Sequence, residues 1–384
     1  MLCRFEVSGF KGFEENFVFD LLQSNSYEFN KEAVKNGVIK SSIIYGKNGC
    51  GKTNLSFALF DIVTHLVDRT RNFNFYAKNY LNASSKEKVA RFTYRFKFDE
   101  DELVYSYEKL SSSNILKESI AINGKLYVSV DRAEGGSLLI DLPGTKSLKR
   151  DLGLLKDISG SEISVVSYIA SNSLLPDSGV SLVFKRFYKF VQGMLFFRSL
   201  EGNSYVGLSE ASGIKICSDI AERGNVKDFE KFLNSNGIEC KLEEVKDNDG
   251  KNISFKFGKA LIPFSEVAST GTKTLGLFYF WMQRMKKDDY ISLACIDEFD
   301  AFYHHELAVH VVEILKKVNS QVILTTHNTS IMTNDLLRAD CYFVMNNKKI
   351  VSLSDSTSKE IRQAHNLEKI YKAGGFSVEG HSNE

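Results

Sequence analysis

The sequence predicts an α/β protein with a mixed sheet that is covered by helices. Short apolar segments and amphipathic helical segments alternate in the last third of the chain, which is typical of a parallel or mixed sheet. Earlier in the chain, a glycine-rich segment connects such an apolar strand to a helix. The composition, with 43% hydrophobic and 25% charged residues, is that of a globular protein.

Length, charge and hydropathy narrow the class of protein further. A chain of 384 residues is long enough for two or three compact lobes, and its formal charge of +1 predicts no strong whole-molecule attraction to nucleic acid. No apolar run approaches the ~20 residues that span a bilayer, and the first six residues alternate like a strand instead of starting a signal peptide. The cysteines lie far apart without a C-x-x-C pair, so we expect reduced thiols. We therefore expect a cytoplasmic protein without a membrane partner.

The first predicted part, residues 1–145, contains a hairpin, a helix and an antiparallel sheet. Period-two alternation on both sides of the turn at residues 11–13 predicts the opening hairpin. A strand at 42–45 leads to a helix after Thr53, whose apolar residues recur at i, i+3, i+4 and i+7. Alternation over residues 89–130 predicts the antiparallel sheet.

The other two predicted parts are a lid and a C-terminal lobe. Residues 146–252 are more helical and more charged, and they predict an inserted, mostly helical lid without the persistent heptads of a coiled coil. Residues 253–384 predict apolar strands at 291–296 and 322–326, separated by a helix, and then a late hairpin with its turn at Asn346 and Asn347.

The glycine-rich segment matches the P-loop pattern G-x-x-x-x-G-K-[ST] over residues 46–53. Its glycines let backbone N–H groups point toward phosphate oxygens, and the following helix N-terminus adds to that field. We expect Lys52 to reach the β and γ phosphates of a nucleotide, and the Thr53 hydroxyl to ligate Mg²⁺. The predicted nucleotide-binding residues of the loop are Gly46, Lys47, Asn48, Gly49, Cys50, Gly51, Lys52, Thr53 and Asn54. The alternative is a glycine-rich turn with an incidental Gly-Lys-Thr.

Polar residues follow both apolar strands of the C-terminal part. Asp297 is expected to hold the Mg²⁺ shell and Glu298 to polarise the attacking water. His327 follows the second strand, where it can contact a γ-phosphate or that water. The predicted catalytic residues are therefore Lys52, Glu298 and His327. The alternatives are an acidic helix start after a core strand and a structural histidine.

A serine- and glycine-containing segment precedes the next apolar helix. It forms either a second phosphate-binding helix end or a plain N-cap, and the local sequence alone favours the N-cap. Its residues are Ser269, Thr270, Gly271, Thr272 and Lys273.

Two further segments have a functional and a structural interpretation. His304, His305, Glu306 and His310 suggest a metal site, but the spacing is not H-E-x-x-H and a loop with a helix start is favoured. The basic and aromatic residues 184–189, extended by Arg198, suggest a nucleic-acid contact. An amphipathic helix with a solvated basic face is the favoured alternative.

The order of these motifs resembles the ABC-type ATPase heads of SMC proteins, RecF and the OLD-family ATPases. The hairpin turn resembles their basic turn, which implies a nucleotide contact by Lys11. Residues 269–273 are similar to their S-x-G-x-K signature, and residues 297–300 match their Walker B motif and D-loop, with Asp300 in the D-loop. His327 lies in a segment that matches their switch-histidine loop.

The resemblance covers about residues 1–70 and 255–375. It implies an ABC-type ATPase head with a P-loop mixed sheet, an antiparallel β lobe and an inserted helical lid. It also implies ATP and Mg²⁺ as cofactors, and a homodimer or higher homo-oligomer in which the P-loop of one subunit faces residues 269–273 of another. Hydrolysis would then be slow and dependent on assembly. The Q-loop glutamine has no counterpart, because no glutamine occurs between Gln23 and Gln192.

Residues 360–371 resemble a stretch typical of bacterial ATPases in phage-defence and abortive-infection operons. This implies an ATP-dependent sensor or scaffold that a phage protein triggers. Only 57 residues follow His327, too few for the Toprim nuclease domain of OLD-family proteins, so a separate Toprim- or HNH-type nuclease effector is expected. The alternative is a RecF-like repair protein that clamps DNA with ATP; an ATP-binding transporter subunit is a third, less favoured class.

Overall fold

A computed structural model of the chain describes residues 1–67, 74–133, 136–148, 163–199, 204–207, 216–247, 250–286 and 291–376. It confirms the mixed α/β fold, in which two seven-stranded sheets provide most of the framework. Within these ranges, no helix is both long enough and apolar enough to cross a membrane.

The strands in chain order are β1 (Leu2–Ser8), β2 (Phe17–Asp20), β3 (Val34–Lys35), β4 (Val38–Ile39), β5 (Ser41–Gly46), β6 (Ala90–Phe98), β7 (Asp101–Lys109), β8 (Ile115–Ile122), β9 (Lys125–Asp131), β10 (Leu138–Ile140), β11 (Met194–Arg198), β12 (Ser204–Gly207), β13 (Leu242–Asp247), β14 (Gly250–Phe257), β15 (Ala260–Pro263), β16 (Leu293–Asp297), β17 (Gln321–Thr326), β18 (Tyr342–Met345) and β19 (Ile350–Ser352). The α-helices are α1 (Lys52–Leu66), α2 (Asn74–Ala77), α3 (Val165–Asn172), α4 (Gly179–Gln192), α5 (Ile216–Glu222), α6 (Val226–Ser235), α7 (Phe264–Val267), α8 (Thr270–Met285), α9 (His305–Lys316) and α10 (Leu367–Lys372).

The first sheet is antiparallel and has the strand order β10-β9-β8-β7-β6-β1-β2. The pairing of β1 with β2 confirms the opening hairpin, and β6 to β9 confirm the predicted antiparallel meander. In β6, buried residues alternate with more exposed ones, as the period-two pattern predicts for a sheet with one buried face.

The second, central sheet has the order β12-β11-β16-β17-β5-β18-β19. Its five inner strands are parallel to one another, and β12 and β19 add antiparallel edges. Every residue of β16 and β17 is buried, which explains why both read as continuous apolar runs in the sequence. The late hairpin of β18 and β19 is also as predicted.

The segment predicted as an inserted lid differs from that description. Residues 163–199 and 216–235 do contain the helices α3 to α6, but β11 pairs in parallel with β16 inside the central sheet. The side chains of Met194 to Phe197 are buried for this reason. A short apolar run fits a buried strand and a buried helix equally well, so its sequence does not separate the two. Residues 149–162, 200–203, 208–215 and 248–249 of the segment lie outside the described residues.

The helix that follows the P-loop, α1, lies between the two sheets. The Tyr94 hydroxyl of β6 donates to the carbonyl oxygen of Ala58 at 2.8 Å, while the rings of Phe57 and Phe60 contact Phe196 of β11. Both the antiparallel sheet and the central sheet therefore hold α1 in place. The start of α1 and the loop before it are thus anchored to both sheets.

A buried side chain connects the start of β17 in the central sheet to β1 of the antiparallel sheet and to β4. The side-chain amide of Gln321 accepts a hydrogen bond from the backbone N–H of Leu2 at 3.0 Å and donates to the carbonyl oxygens of Leu2 and Ile39 at 2.8 and 2.9 Å. It thus provides buried backbone groups of β1 and β4 with hydrogen-bond partners. The start of β17 is tied to the N-terminal hairpin by this contact.

Candidate nucleotide-binding site

The predicted site residues follow three neighbouring strands of the central sheet. The strands β16, β17 and β5 are adjacent and parallel, so their carboxyl ends lie at the same edge. The P-loop follows β5, Asp297 is the last residue of β16, and His327 follows β17. Open parallel sheets bind ligands at this edge. The sheet therefore brings together segments that are nearly 300 residues apart in the chain.

Three glycines of the P-loop have backbone positions that other residues would not tolerate. Gly49 and Gly51 have φ angles of 77° and 98°, which lie in the left-handed region. A Cβ atom on Gly46 would lie only 2.7 Å from the carbonyl oxygen of Met345 in the neighbouring strand. Gly51 is also the N-cap residue of α1, and because it has no side chain the first amide groups of that helix stay open to an anion.

The side chain of Lys52 lies at the centre of the site. Only 5% of it is exposed, and its Nζ atom donates to the carbonyl oxygen of Gly46 at 3.0 Å. The same nitrogen lies 2.8 Å from Nε2 of His327 and 3.8 Å from Oε1 of Glu298. The three predicted catalytic side chains are therefore in mutual contact.

The acid beside Lys52 is held in an unusual backbone conformation. Glu298 has a φ angle of 49°, which is uncommon for a residue with a side chain, and its N–H donates to the Thr325 hydroxyl at 2.9 Å. Its Oε1 atom lies 3.1 Å from Nε2 of His327. Strained backbone conformations of this kind occur preferentially at functional sites.

A second pair of predicted residues lies next to this cluster. The hydroxyl of Thr53 donates to Oδ2 of Asp297 at 2.8 Å, and Asp297 is almost fully buried. One hydroxyl and one carboxylate are the oxygen donors that Mg²⁺ accepts from a protein when phosphate oxygens and waters complete its shell. The donor set thus fits Mg²⁺, with Thr53 and Asp297 as the residues that would hold it.

A surface cavity of about 340 Å³ opens over these residues. It is lined by Asn48, Gly49, Cys50, Gly51, Lys52, Thr53, Asn54, Glu298 and His327. The cavity lining thus includes most of the predicted P-loop residues and all three predicted catalytic residues. Gly46 and Lys47 lie at the base of the loop, where the carbonyl oxygen of Lys47 accepts a hydrogen bond from the N–H of Cys50 at 3.2 Å.

Lys11, a predicted nucleotide contact, does not line this cavity. Its Nζ atom donates to the carbonyl oxygen of Lys78 at 3.0 Å and lies 5.7 Å from the ring centres of Phe57 and Tyr76. Burial lowers the pKa of the Lys11 ammonium. The turn that carries it does approach the P-loop helix, because a Cβ atom on Gly12 would lie 3.3 Å from Nδ2 of Asn54.

The predicted signature segment, residues 269–273, lies apart from the cavity of its own chain. Ser269 is the N-cap of α8, and its hydroxyl accepts a hydrogen bond from the N–H of Thr272 at 3.1 Å. Ser269, Thr270 and Lys273 are exposed. The local N-cap interpretation is confirmed, and the segment remains accessible to another molecule.

The favoured interpretations of the two other segments are also observed. His304 is the N-cap of α9, and its Nδ1 atom accepts a hydrogen bond from the N–H of Leu307 at 3.1 Å. Two basic residues of α4 are paired with acids, Lys185 with Asp177 and Arg186 with Asp99, each at 2.8 Å. These ion pairs leave less free positive charge for nucleic acid on that helix.

Two threonines contribute to the site although no role was predicted for them. Thr325 donates to Oδ1 of Asp297 at 2.7 Å, and Thr326 donates to Oδ1 of Asp300 at 2.6 Å. Threonine is common in β-strands for packing reasons, so its type alone is a weak signal. The stronger signal was their position immediately before His327.

Comparison with protein families finds a match over part of the chain. Residues 219–333 match the family described as "AAA domain, putative AbiEii toxin, Type IV TA system". The matched region contains Asp297, Glu298 and His327 but not the P-loop. Together with the P-loop geometry, this match supports an ATP-binding ATPase. No curated protein matches the sequence.

Solved SMC head domains are among the structures similar to this chain, in line with the predicted resemblance. The SMC head bound to the C-winged helix domain of ScpA is 18% identical, with 92% of this chain and 98% of that chain covered and a TM-score of 0.49. The SMC head domain from Thermotoga maritima is 15% identical, with 91% of this chain and 98% of that chain covered and a TM-score of 0.43. The SMC head domain with a coiled coil and joint from Pyrococcus yayanosii is 13% identical, with 97% of this chain and 98% of that chain covered and a TM-score of 0.48. Since these TM-scores are below 0.5, conclusions about the site depend on its own geometry.

Proposed function

We propose that this protein binds ATP with Mg²⁺ and hydrolyses it to ADP and phosphate. The observation that carries the proposal is the contact of Lys52, Glu298 and His327 at the edge of the P-loop cavity. A turn that matched the P-loop pattern by chance would have no reason to meet an acid and a histidine from two other strands. The adjacent strand ends thus bring together an ammonium, a carboxylate and an imidazole, which are the groups that we assign to phosphoryl transfer to water.

Each side chain has a distinct part in the proposed reaction. The Lys52 ammonium binds oxygens of the β and γ phosphates and neutralises charge that develops on them. Glu298 orients the attacking water and accepts its proton, and His327 contacts the γ-phosphate or that water. Thr53 and Asp297 would hold Mg²⁺, which would neutralise negative charge on the phosphates.

The proposed active form is a homodimer or a higher homo-oligomer. Residues 269–273 do not line the cavity of their own chain, and two apolar side chains near them, Val267 and Phe302, are exposed. Val267 precedes the segment by two residues, and Phe302 lies beside it, since a Cβ atom on Gly271 would lie 3.7 Å from the carbonyl oxygen of Phe302. The N-terminus of α8 is exposed and has exposed apolar side chains near it. Such a surface suits contact with a second subunit whose bound phosphates face the helix N-terminus.

The nucleotide-binding part of the proposal is tested by equilibrium binding of ATP. Lys52→Ala should abolish binding, because Lys52 supplies the one ammonium group among the described residues that line the cavity. Lys348→Ala is the matched control, since this exposed lysine lies in the turn between β18 and β19. ATP affinity that survives in Lys52→Ala would contradict the P-loop assignment.

For the biological role we propose an ATP-dependent sensor or scaffold in bacterial anti-phage defence. It would respond to a phage protein and control a separate nuclease effector of the Toprim or HNH type. The family description, which names a putative toxin of a toxin–antitoxin system, supports a defence role. The ion pairs of Lys185 and Arg186 leave less positive charge free for DNA at α4.

The role is tested by co-expression with the neighbouring genes, followed by purification and mass measurement. A stable complex with one neighbouring gene product that changes its nuclease activity when ATP is added supports the proposal. The opposite result is ATP-dependent binding to duplex DNA that weakens steeply with salt, in the absence of a protein partner. That result would favour the RecF-like alternative.

A further inference from the structure

Two adjacent threonines at the end of β17 each hold one carboxylate at the end of β16 or just beyond it. The Thr325 hydroxyl donates to Asp297, and the Thr326 hydroxyl donates to Asp300. Successive side chains of a strand point to opposite faces, so the two acids are held on opposite sides of the strand end. Both threonines are buried, with 1% and 0% of their surface exposed.

The hydroxyl of Thr325 makes two hydrogen bonds, both to the acidic residues Asp297 and Glu298. It donates its proton to Oδ1 of Asp297 at 2.7 Å and accepts the N–H of Glu298 at 2.9 Å. Because Oδ1 is occupied in this way, Oδ2 is the oxygen that faces Thr53, at 2.8 Å. One hydroxyl thus orients the predicted metal-binding carboxylate and also holds the backbone of Glu298 in its left-handed conformation.

The hydroxyl of Thr326 makes the corresponding pair of contacts on the other side. It donates to Oδ1 of Asp300 at 2.6 Å and accepts the N–H of Asn328 at 2.9 Å. The Asp300 loop and the loop that carries His327 are therefore joined through this one side chain. Neither Asp300 nor Thr326 lines the P-loop cavity.

We propose that Thr325 and Thr326 are separate positioning residues, one for the metal-binding oxygen and one for the loop beyond it. Thr325 sets the affinity for Mg²⁺ by orienting Asp297, and Thr326 sets the turnover by holding the Asp300 loop against the His327 loop. The inference rests on the proposed function, because it assumes a Mg²⁺-dependent nucleotide site. It adds residues that touch neither the metal nor the nucleotide.

The test measures how nucleotide binding depends on Mg²⁺, which buried hydroxyls with a merely structural role would not change. The N-methylanthraniloyl fluorescent derivative of ATP is titrated with MgCl₂ in the wild-type protein and in three variants: Thr325→Val, Thr325→Ser and Thr326→Val. Thr93→Val is the control, because Thr93 bonds Ser106 at 3.0 Å in the antiparallel sheet, away from the site. Melting temperatures are recorded for all of them.

We expect Thr325→Val to raise the Mg²⁺ concentration for half-maximal binding by about 10-fold to 100-fold, as loss of a ligand-orienting hydrogen bond does. Thr325→Ser, which retains the hydroxyl, should bind like the wild type. Thr326→Val should keep the wild-type Mg²⁺ dependence and lower the turnover number by about 10-fold to 100-fold through misplacement of the loop. Should Thr325→Val not fold, Thr325→Ala provides the same comparison with Thr325→Ser.

Different results overturn different statements. A wild-type Mg²⁺ dependence in Thr325→Val, or an equal loss in Thr325→Ser, overturns the role of Thr325. An equal Mg²⁺ shift in Thr326→Val overturns the separation of the two roles. If the wild-type protein binds the fluorescent nucleotide without any Mg²⁺ dependence, or not at all, the proposed function itself fails.

Discussion

The Nε2 atom of His327 lies 3.1 Å from Oε1 of Glu298, although 29 residues separate the two in the chain. The contact arises because the strands before them, β17 and β16, are adjacent and parallel. It places a histidine against the acid that we assign as the general base. A general base is needed for hydrolysis but not for ATP binding.

Replacing this acid should therefore separate binding from hydrolysis. Glu298→Gln retains the size and the hydrogen-bonding capacity of the side chain but cannot accept a proton, so turnover should fall by about 100-fold or more. ATP affinity should be retained, and the mass of the ATP-bound protein in solution should shift toward a dimer or larger assembly. Glu313→Gln on the exposed side of α9 is the control and should behave like the wild type. Unchanged turnover in Glu298→Gln would remove Glu298 from the base role.

A composite site predicts complementation between two inactive variants. Gly271→Glu places a negative charge at the exposed start of α8, where its Cβ atom would lie no closer than 3.7 Å to a neighbouring residue outside the helix. It should repel phosphates presented by a second subunit, whereas Lys52→Ala disables the P-loop. Each variant alone should be inactive.

Mixing the two variants after subunit exchange should restore activity, because a mixed dimer has one site in which both halves are intact. Half of the dimers are mixed and each has one of two sites, so about a quarter of the wild-type rate is expected for a two-fold symmetric assembly. Phosphate release is the measurement. A mixture that stays inactive, or a fully active Gly271→Glu, argues for a site within one chain.

The main site residues could be predicted from the sequence because each follows a recognisable strand. A parallel sheet places such strand ends at one edge, so Asp297 and His327 could be expected near the P-loop from the sequence alone. The strand β11 could not be predicted from the sequence, since the pattern of its apolar residues does not distinguish a strand from a helix. Polar contacts between distant parts of the chain could not be predicted either. Lys109 and Asp61 are 48 positions apart, and a local sequence pattern does not connect residues at that distance.

That buried pair under α1 leads to a prediction on stability. The Nζ atom of Lys109 lies 2.8 Å from Oδ1 of Asp61, both side chains are fully buried, and Tyr80 and Tyr107 also donate to this carboxylate. Lys109→Met leaves the buried carboxylate without its cation and should cost about 3–5 kcal/mol in the free energy of unfolding. Denaturation with urea measures the difference.

Two further variants control for the loss of charge itself. Lys125→Met removes an exposed ion pair with Asp141 and should cost less than about 1 kcal/mol. The double variant Asp61→Asn with Lys109→Met removes both buried charges, so it should be more stable than Lys109→Met alone. Equal costs at Lys109 and Lys125 would show that the buried pair has no special importance for stability.

His65, which is buried one turn beyond Asp61 on α1, predicts how stability depends on pH. Burial, and to a lesser extent the Lys109 ammonium, hold the pKa of His65 well below its usual value. In the unfolded chain the histidine has a pKa of about 6.5, so below that pH the unfolded chain binds a proton that the folded protein does not bind. The free energy of unfolding therefore falls as the pH is lowered below about 6.5, by about 1.4 kcal/mol per pH unit for one proton.

The variant His65→Gln removes this titration and retains a polar group for the Tyr105 hydroxyl, which lies 2.8 Å from Nε2 of His65. Its urea midpoint should therefore depend less on pH than the wild-type midpoint between about pH 5 and 6.5, whatever its absolute stability. His310→Gln on α9 should retain the wild-type slope. Parallel pH profiles for the wild type and His65→Gln would mean that the imidazole of His65 binds its proton as readily in the folded protein as in the unfolded chain, despite its burial against the antiparallel sheet.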